Sequence, residues 1–233
     1  GSIQQSCDTY YYQMGLKLGI NKLAEYSRKC GFGAPTQIDL PNESYGLVPT
    51  TDTLNKFYGK RGWTEGLMLN LSIGQGEILV TPLQLAQFYA GLAADGVIYR
   101  PHLVKTIHFP DGSQLDTEPK VSHQLPFSPQ TLKILKEGLY AVVHSAKGTA
   151  RGIAVDGLHF GGKTGTAQNP HGENHSWFVG FAPFENPQIV IAAIVENAGN
   201  GSEVAAPMVA KLLKFYVELE RQRASERLAS LAE

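Results

Sequence analysis

Two short stretches of this chain hold residue types that could do chemistry together. One is Ser6-Cys7-Asp8, near the start; the other is Gly162-Lys163-Thr164-Gly165-Thr166. A lysine ammonium beside a strand sets up a positive field. That field favours an anionic substrate and the negative charge that develops during acyl transfer. Ser6 offers a hydroxyl that can pass a proton to a leaving amine. Asp8 can hold its surroundings by hydrogen bonding. Thr164 and Thr166 offer hydroxyls to a substrate carboxylate, and Gly165 keeps the strand surface open for a close-lying substrate. A backbone N–H near Thr166 can form half of an oxyanion hole. Taken singly, these residues have plainer readings. K-T-G is three residues long, Ser6 alone is a helix-surface serine, and Cys7 on an apolar face reads as a quiet thiol. Their order and separation are what make them informative.

Those residues need elements to position them. Apolar and aromatic side chains at Ile3, Cys7, Tyr10, Tyr11, Met14 and Leu18 recur near the helical period, so 3–18 is expected to be one helix. A second helix is expected over 20–30 with Asn21 as its N-cap. Thr81 and Pro82 suit the N-cap and first position of a strong helix ending at Gly96. A small β ribbon is expected over 97–109, followed by a polar connection over 113–127 and a helix from Ser128-Pro129. The period then shortens. The stretches 158–167, 176–182 and 188–196 read as strands, and their short connections favour antiparallel neighbours. A long helix follows Gly199-Asn200-Gly201. The expected class is α+β: a helix-rich part (3–157), then strands and a C-terminal helix (158–220), with a charged, solvated tail (221–233).

The composition fits a chain that builds a core. Hydrophobic residues make up 42% and charged residues 18% of 233 residues, with a formal charge of -1. A generally electropositive nucleic-acid surface is disfavoured. Two cysteines exclude a disulfide scaffold and an all-cysteine metal site. No window holds eighteen consecutive apolar residues, so no membrane span and no signal peptide are expected within it. Gly1-Ser2, without an initiator methionine, reads as a cloning or cleavage scar. The chain contains no phosphate loop and no H-E-x-x-H, and Gly74-Gln75-Gly76 alone does not make a nucleotide site.

A serine in S-x-x-K, a second motif of the S-D-N kind and a K-T-G strand form the joint signature of serine β-lactamases and penicillin-binding proteins. The chain resembles the transpeptidase domain of class B penicillin-binding proteins, elongation type. The resemblance rests on QSCDTYYY at 5–12, LSIGQG at 71–76 with TPLQLA at 81–86, GGKTGTAQ at 161–168, HSWFVGF at 175–181 and AAP at 205–207. It implies the penicillin-binding (serine β-lactamase-like) fold. It also implies a D,D-transpeptidase that cross-links peptidoglycan stem peptides ending in D-Ala-D-Ala through a serine acyl-enzyme trapped by β-lactams. On the resemblance, Ser6 is the proton-shuttling second-motif serine, supported by Asp8, and Lys163 is the third-motif lysine. Thr164, Gly165 and Thr166 line the substrate carboxylate site, with the Thr166 N–H facing the oxyanion.

The chain departs from the family pattern in one respect: no serine in it is followed three residues later by lysine. Thr53 and Thr117 are so followed, but both stand after the second motif. The nucleophile is therefore expected upstream, the fold as carried here incomplete, and this chain alone inactive, with apolar surface exposed. Acyl transfer needs no cofactor. Some elongation-type members resemble one another in a structural zinc beside the second motif, which makes Cys7 a candidate ligand with the others upstream. The resemblance further implies a parent anchored in the bacterial inner membrane with its catalytic domain in the periplasm. The parent would work with a membrane glycosyltransferase and a rod-shape scaffold protein of the elongation machinery. A β-lactamase, a β-lactam sensor and a non-catalytic scaffold are the competing readings. The IGQG-to-TPLQLA stretch argues against the first two.

Overall fold

The helix expected over 3–18 is in fact two helices. In the computed structural model, which describes residues 1–231, α1 (Ser2–Gln5) stops at Ser6 and α2 (Asp8–Leu18) starts two residues later. Ser6 adopts φ 48° and ψ 55°, a left-handed conformation that costs a non-glycine residue about 1–3 kcal/mol. The apolar periodicity runs on through this break, since a single left-handed residue need not change the spacing of apolar positions in the sequence. Periodicity therefore could not reveal it.

The elements then run α3 (Ile20–Lys29), α4 (Thr51–Tyr58), α5 (Gly66–Ser72), α6 (Pro82–Ala93), β1 (Val97–Tyr99), β2 (Thr106–His108), β3 (Gln114–Asp116), β4 (Val121–Gln124), α7 (Pro129–His144), β5 (Gly161–Ala167), β6 (His175–Ala182), β7 (Ile189–Val195) and α8 (Ala205–Ser230). They form two compact units. One comprises 1–7 with 133–233, and the other comprises 8–132.

In the first unit, β5, β6 and β7 make an antiparallel sheet in sequence order. β6 is the central strand and is buried along nearly its whole length, so it reads as an apolar run rather than as an alternation. α8 covers one face of the sheet, burying Ala205, Ala206, Val209 and Leu213 together with Phe160, Phe178 and the α7 residues Val142 and Val143. Pro207 falls in the first turn of α8, where a missing N–H costs nothing. The helix continues as a solvated extension through Ser230, while Ala232 and Glu233, the end of the expected tail, lie outside the described residues.

In the second unit, α2 packs on α5, where Gly15 leaves room for Ser72. Leu54, Met68, Leu71 and Ile20 form a local core there. α5 is not among the helices expected from the sequence; its apolar run Leu67, Met68 and Leu71 carries it. The N-cap of α3 is Gly19 and not Asn21, whose side chain instead accepts the Thr51 N–H. The region 97–124 is two separate two-stranded ribbons, β1 with β4 and β2 with β3, so part of the expected polar connection is strand.

α6 starts as its sequence predicts. The Thr81 hydroxyl accepts the Gln84 N–H, and the Gln84 side chain returns to accept the Thr81 N–H. Gln84 is also buried, and its amide donates to the Ala34 and Tyr45 carbonyls at 2.8 and 3.0 Å. One side chain thus closes a helix cap and ties down the loop ahead of it. Gln84→Ala would leave two carbonyls and one N–H without partners. It is expected to lower unfolding stability by about 2 kcal/mol. Urea titration checks this, and an unchanged midpoint would show that the cap bears no weight.

Candidate active site

The site is built around β5. Its register with β6 pairs Lys163 with Val179, Thr164 with Phe178, Gly165 with Trp177 and Thr166 with Ser176. The two-residue period places Lys163 and Gly165 on one face of the sheet and Thr164 and Thr166 on the other. The strand depends on its glycines. A Cβ on Gly162 would lie 2.4 Å from the Phe178 ring, and one on Gly161 would lie 2.8 Å from that of Phe181.

Ser6 reaches this strand because α1 is held against α7 and the loop that follows it. Gly138 on α7 lets Ile3 approach to 3.0 Å of where a Cβ would stand. The Gln4 amide donates to the Ser145 hydroxyl at 2.5 Å, and the Gln4 carbonyl accepts the Thr149 N–H at 3.2 Å. With α1 fixed, the left-handed turn at Ser6 presents its hydroxyl to the strand. The Lys163 ammonium donates to Ser6 Oγ at 2.5 Å and to the Thr164 carbonyl at 3.0 Å, with Thr164 Oγ1 at 3.4 Å. The Thr149 hydroxyl lies 3.2 Å from that of Thr164.

Of the residues picked out in the sequence, Ser6, Lys163 and Thr164 therefore come together. Thr166 lies further along the strand, where its hydroxyl accepts the Gly201 N–H at 3.2 Å. Gly201 is constrained: a Cβ there would lie 2.2 Å from the Gly165 carbonyl oxygen and 2.4 Å from that of Trp177. Gly165 itself sits against Trp177, whose Cβ would be 3.0 Å from a side chain placed there. Asp8 is the first residue of α2, where a carboxylate suits the positive end of the helix. Sequence reasoning missed Thr149, Gly138 and Gly201. Thr149 sits in a loop with no periodicity. The two glycines are required by close approaches between segments far apart in the chain, which no local pattern reveals.

Neither cysteine is in a disulfide. Burial pushes the Cys30 thiol up to about 11. Among the described residues, no group of three or more His, Cys, Asp or Glu side chains is gathered so as to hold a metal. Cys7 offers one thiol, and the described residues do not complete a four-ligand zinc shell around it. Among the same residues, no helix is long and apolar enough to cross a membrane.

Residues 1–214 match the penicillin binding protein transpeptidase domain. The chain belongs to that family. It is 36% identical over 237 residues to the peptidoglycan D,D-transpeptidase MrdA of Haemophilus influenzae, covering 93% of this chain and 36% of the relative. Among solved structures it resembles PBP2 of Pseudomonas aeruginosa, with 41% identity and a TM-score of 0.79 over 92% of this chain and 48% of that one. It also resembles PBP2 of Helicobacter pylori, solved in complex with MreC, with 31% identity and a TM-score of 0.80 over 94% of this chain and 39% of that one. The chain spans about a third of the length of the curated relatives it matches. The α+β class, the helix-rich part followed by antiparallel strands, and the terminal helix all agree with this family's fold.

Proposed function

We propose that this chain supplies the second and third motifs of a serine D,D-transpeptidase that cross-links peptidoglycan during cell elongation and is trapped by β-lactams. The observation that carries the reading is the Lys163–Ser6 hydrogen bond at 2.5 Å, which joins the K-T-G strand to the serine of S-C-D. In the reaction, an upstream serine oxygen attacks the penultimate D-alanyl carbonyl of a stem peptide. The C–N bond to the terminal D-alanine breaks, and the leaving amine takes a proton delivered through Ser6. An acceptor amine from a second stem then attacks the ester, releases the serine and restores its proton. Lys163 raises the local potential, which favours the stem's terminal carboxylate and the developing oxyanion. It also lowers the cost of Ser6 acting as a proton relay. The Thr166 N–H faces the oxyanion, and Thr164, Gly165 and Thr166 form the wall for the substrate carboxylate. Asp8 steadies the second motif from the start of α2. Acyl transfer by this route uses no cofactor.

The parent would be anchored in the inner membrane with its catalytic domain in the periplasm. The relative from Helicobacter pylori was solved with MreC, which supports a rod-shape scaffold protein as a partner. Another similar structure is described as coordinating polymerization and crosslinking in a peptidoglycan synthase complex, which supports a glycosyltransferase partner.

This chain alone is expected not to acylate, because no serine in it stands in S-x-x-K. Fluorescent penicillin labelling, read by gel and intact mass, tests both statements when this chain is run beside one extended upstream through S-x-x-K. Labelling of the longer chain only is the expected result. Stoichiometric, saturable labelling of the shorter chain would defeat the claim that it lacks the nucleophile. No labelling of either, beside a penicillin-binding protein that does label, would remove the transpeptidase reading.

A further inference from the structure

A cleft in the second unit carries none of the residues assigned above, and two polar atoms of its lining lack partners. It has a volume of about 510 Å³ and is bounded by the end of α3, the loop 31–37 and β4. Two polar atoms of its lining are buried without a hydrogen-bond partner: Thr36 Oγ1 and His123 Nε2. Thr36 is only 3% exposed, so bulk water does not satisfy its hydroxyl. A buried hydroxyl left unpaired costs about 1–3 kcal/mol, so a partner for it would be stabilising.

The direction of these groups is informative. The Ser122 hydroxyl lies 3.1 Å from His123 Nδ1. When it donates there, the ring proton sits on Nε2, and in the imidazolium Nε2 also carries a proton. In those two states His123 Nε2 is a donor, and the Thr36 hydroxyl can donate beside it. Arg28 and Lys29 stand in the same lining, which contains no Asp or Glu. Arg28 spends one N–H on the Val48 carbonyl at 2.9 Å and has others to offer. The neighbouring carboxylate of Glu43 is occupied elsewhere, accepting the Thr36 and Gln37 backbone N–H groups at 2.7 and 3.0 Å. Gly31 stands beside the His123 ring, where a Cβ would make ordinary contact at 3.6–3.8 Å; its φ of +94° is what favours glycine. The cleft thus presents donors and positive charge, and its lining holds no carboxylate to neutralise them.

We propose that this cleft binds a small ligand through a terminal oxyanion, carboxylate or phosphate, held by the Thr36 hydroxyl, His123 Nε2 and the Arg28 guanidinium. The assignment is independent of acyl transfer, since every residue in it belongs to the second unit.

The test follows the His123 imidazole by ¹H–¹⁵N correlation, assigned with His123→Gln, in the full chain at constant ionic strength. Inorganic phosphate and N-acetylglycine serve as the two probes. A saturable shift of His123 with at least one probe is the expected result, and the probe that saturates at lower concentration identifies the oxyanion. Thr36→Val removes the hydroxyl and keeps the shape. It is expected to weaken that binding roughly tenfold or more while the ligand-free melting temperature holds or rises, because an unpaired buried hydroxyl has been removed. Linear, non-saturating shifts with both probes would overturn the proposal. So would Thr36→Val binding as tightly as the unaltered chain.

Discussion

Replacing Lys163 by alanine, in a chain extended upstream to include S-x-x-K, is expected to slow acylation by a fluorescent penicillin by about a hundredfold or more. Removing one preorganised electrostatic group from an acyl-transfer site typically costs that much. The ammonium has two tasks that alanine cannot take over. It donates to Ser6 Oγ at 2.5 Å, which fixes where the proposed relay hydroxyl points, and it carries the positive charge of the strand. Its hydrogen bond to the Thr164 carbonyl, 3.0 Å long, holds the ammonium over its own strand, so losing the side chain leaves the backbone in place. The defect is therefore expected in the acylation rate and not in folding. Equal melting temperatures with a large loss in rate would bear this out. Ser6→Ala should share much of the loss, and the double variant should lose less than the sum of the two, because the groups act as a pair. A Lys163→Ala protein that labels within a few-fold of the parent would remove Lys163 from its assigned role.

Phe178→Ala is expected to cost about 3–5 kcal/mol of stability, the range for emptying a fully buried phenylalanine site. Domains of this size are stable by only about 5–15 kcal/mol in all. The cost should fall at the upper end because the ring fills space that two glycines vacate. Cβ atoms on Gly162 and Gly180 would lie 2.4 and 2.9 Å from it. Neither glycine has a side chain that could collapse into the hole. Phe178 also pairs in register with Thr164, so loosening it reaches the K-T-G strand directly. Coupling provides a sharper check. Gly180→Ala should destabilise the normal protein, where it meets the ring, and do so markedly less beside Phe178→Ala. Equal effects of Gly180→Ala in both backgrounds, measured by chemical unfolding, would show that the ring is not what keeps position 180 a glycine.

The elements carried by local chemistry were legible in the sequence. The start of α6 follows from Thr81 and Pro82, because a cap and the first helical position are adjacent residues. The strands β6 and β7 follow from runs of β-formers cut by turn residues, and the antiparallel order of β5, β6 and β7 from connections too short for a crossover. Lys163 and Ser6 stood out as residue types in order, and the family was legible through several motifs taken together.

Other features depended on distance along the chain. The break at Ser6 leaves no mark on the apolar period, yet it is what turns a helix-surface serine into the partner of Lys163. Asn21 looks like a cap and instead bonds to Thr51, thirty residues away. The first seven residues belong with 133–233 and not with the helix that follows them. From sequence alone, each residue type and each local element could be named, because propensities, caps and turns act over a few residues. The tertiary structure alone could bring Ser6 onto a strand 157 residues later and set Gly201 against Gly165 and Trp177. Such contacts arise from packing between whole elements, and nothing in the neighbourhood of either residue encodes the other.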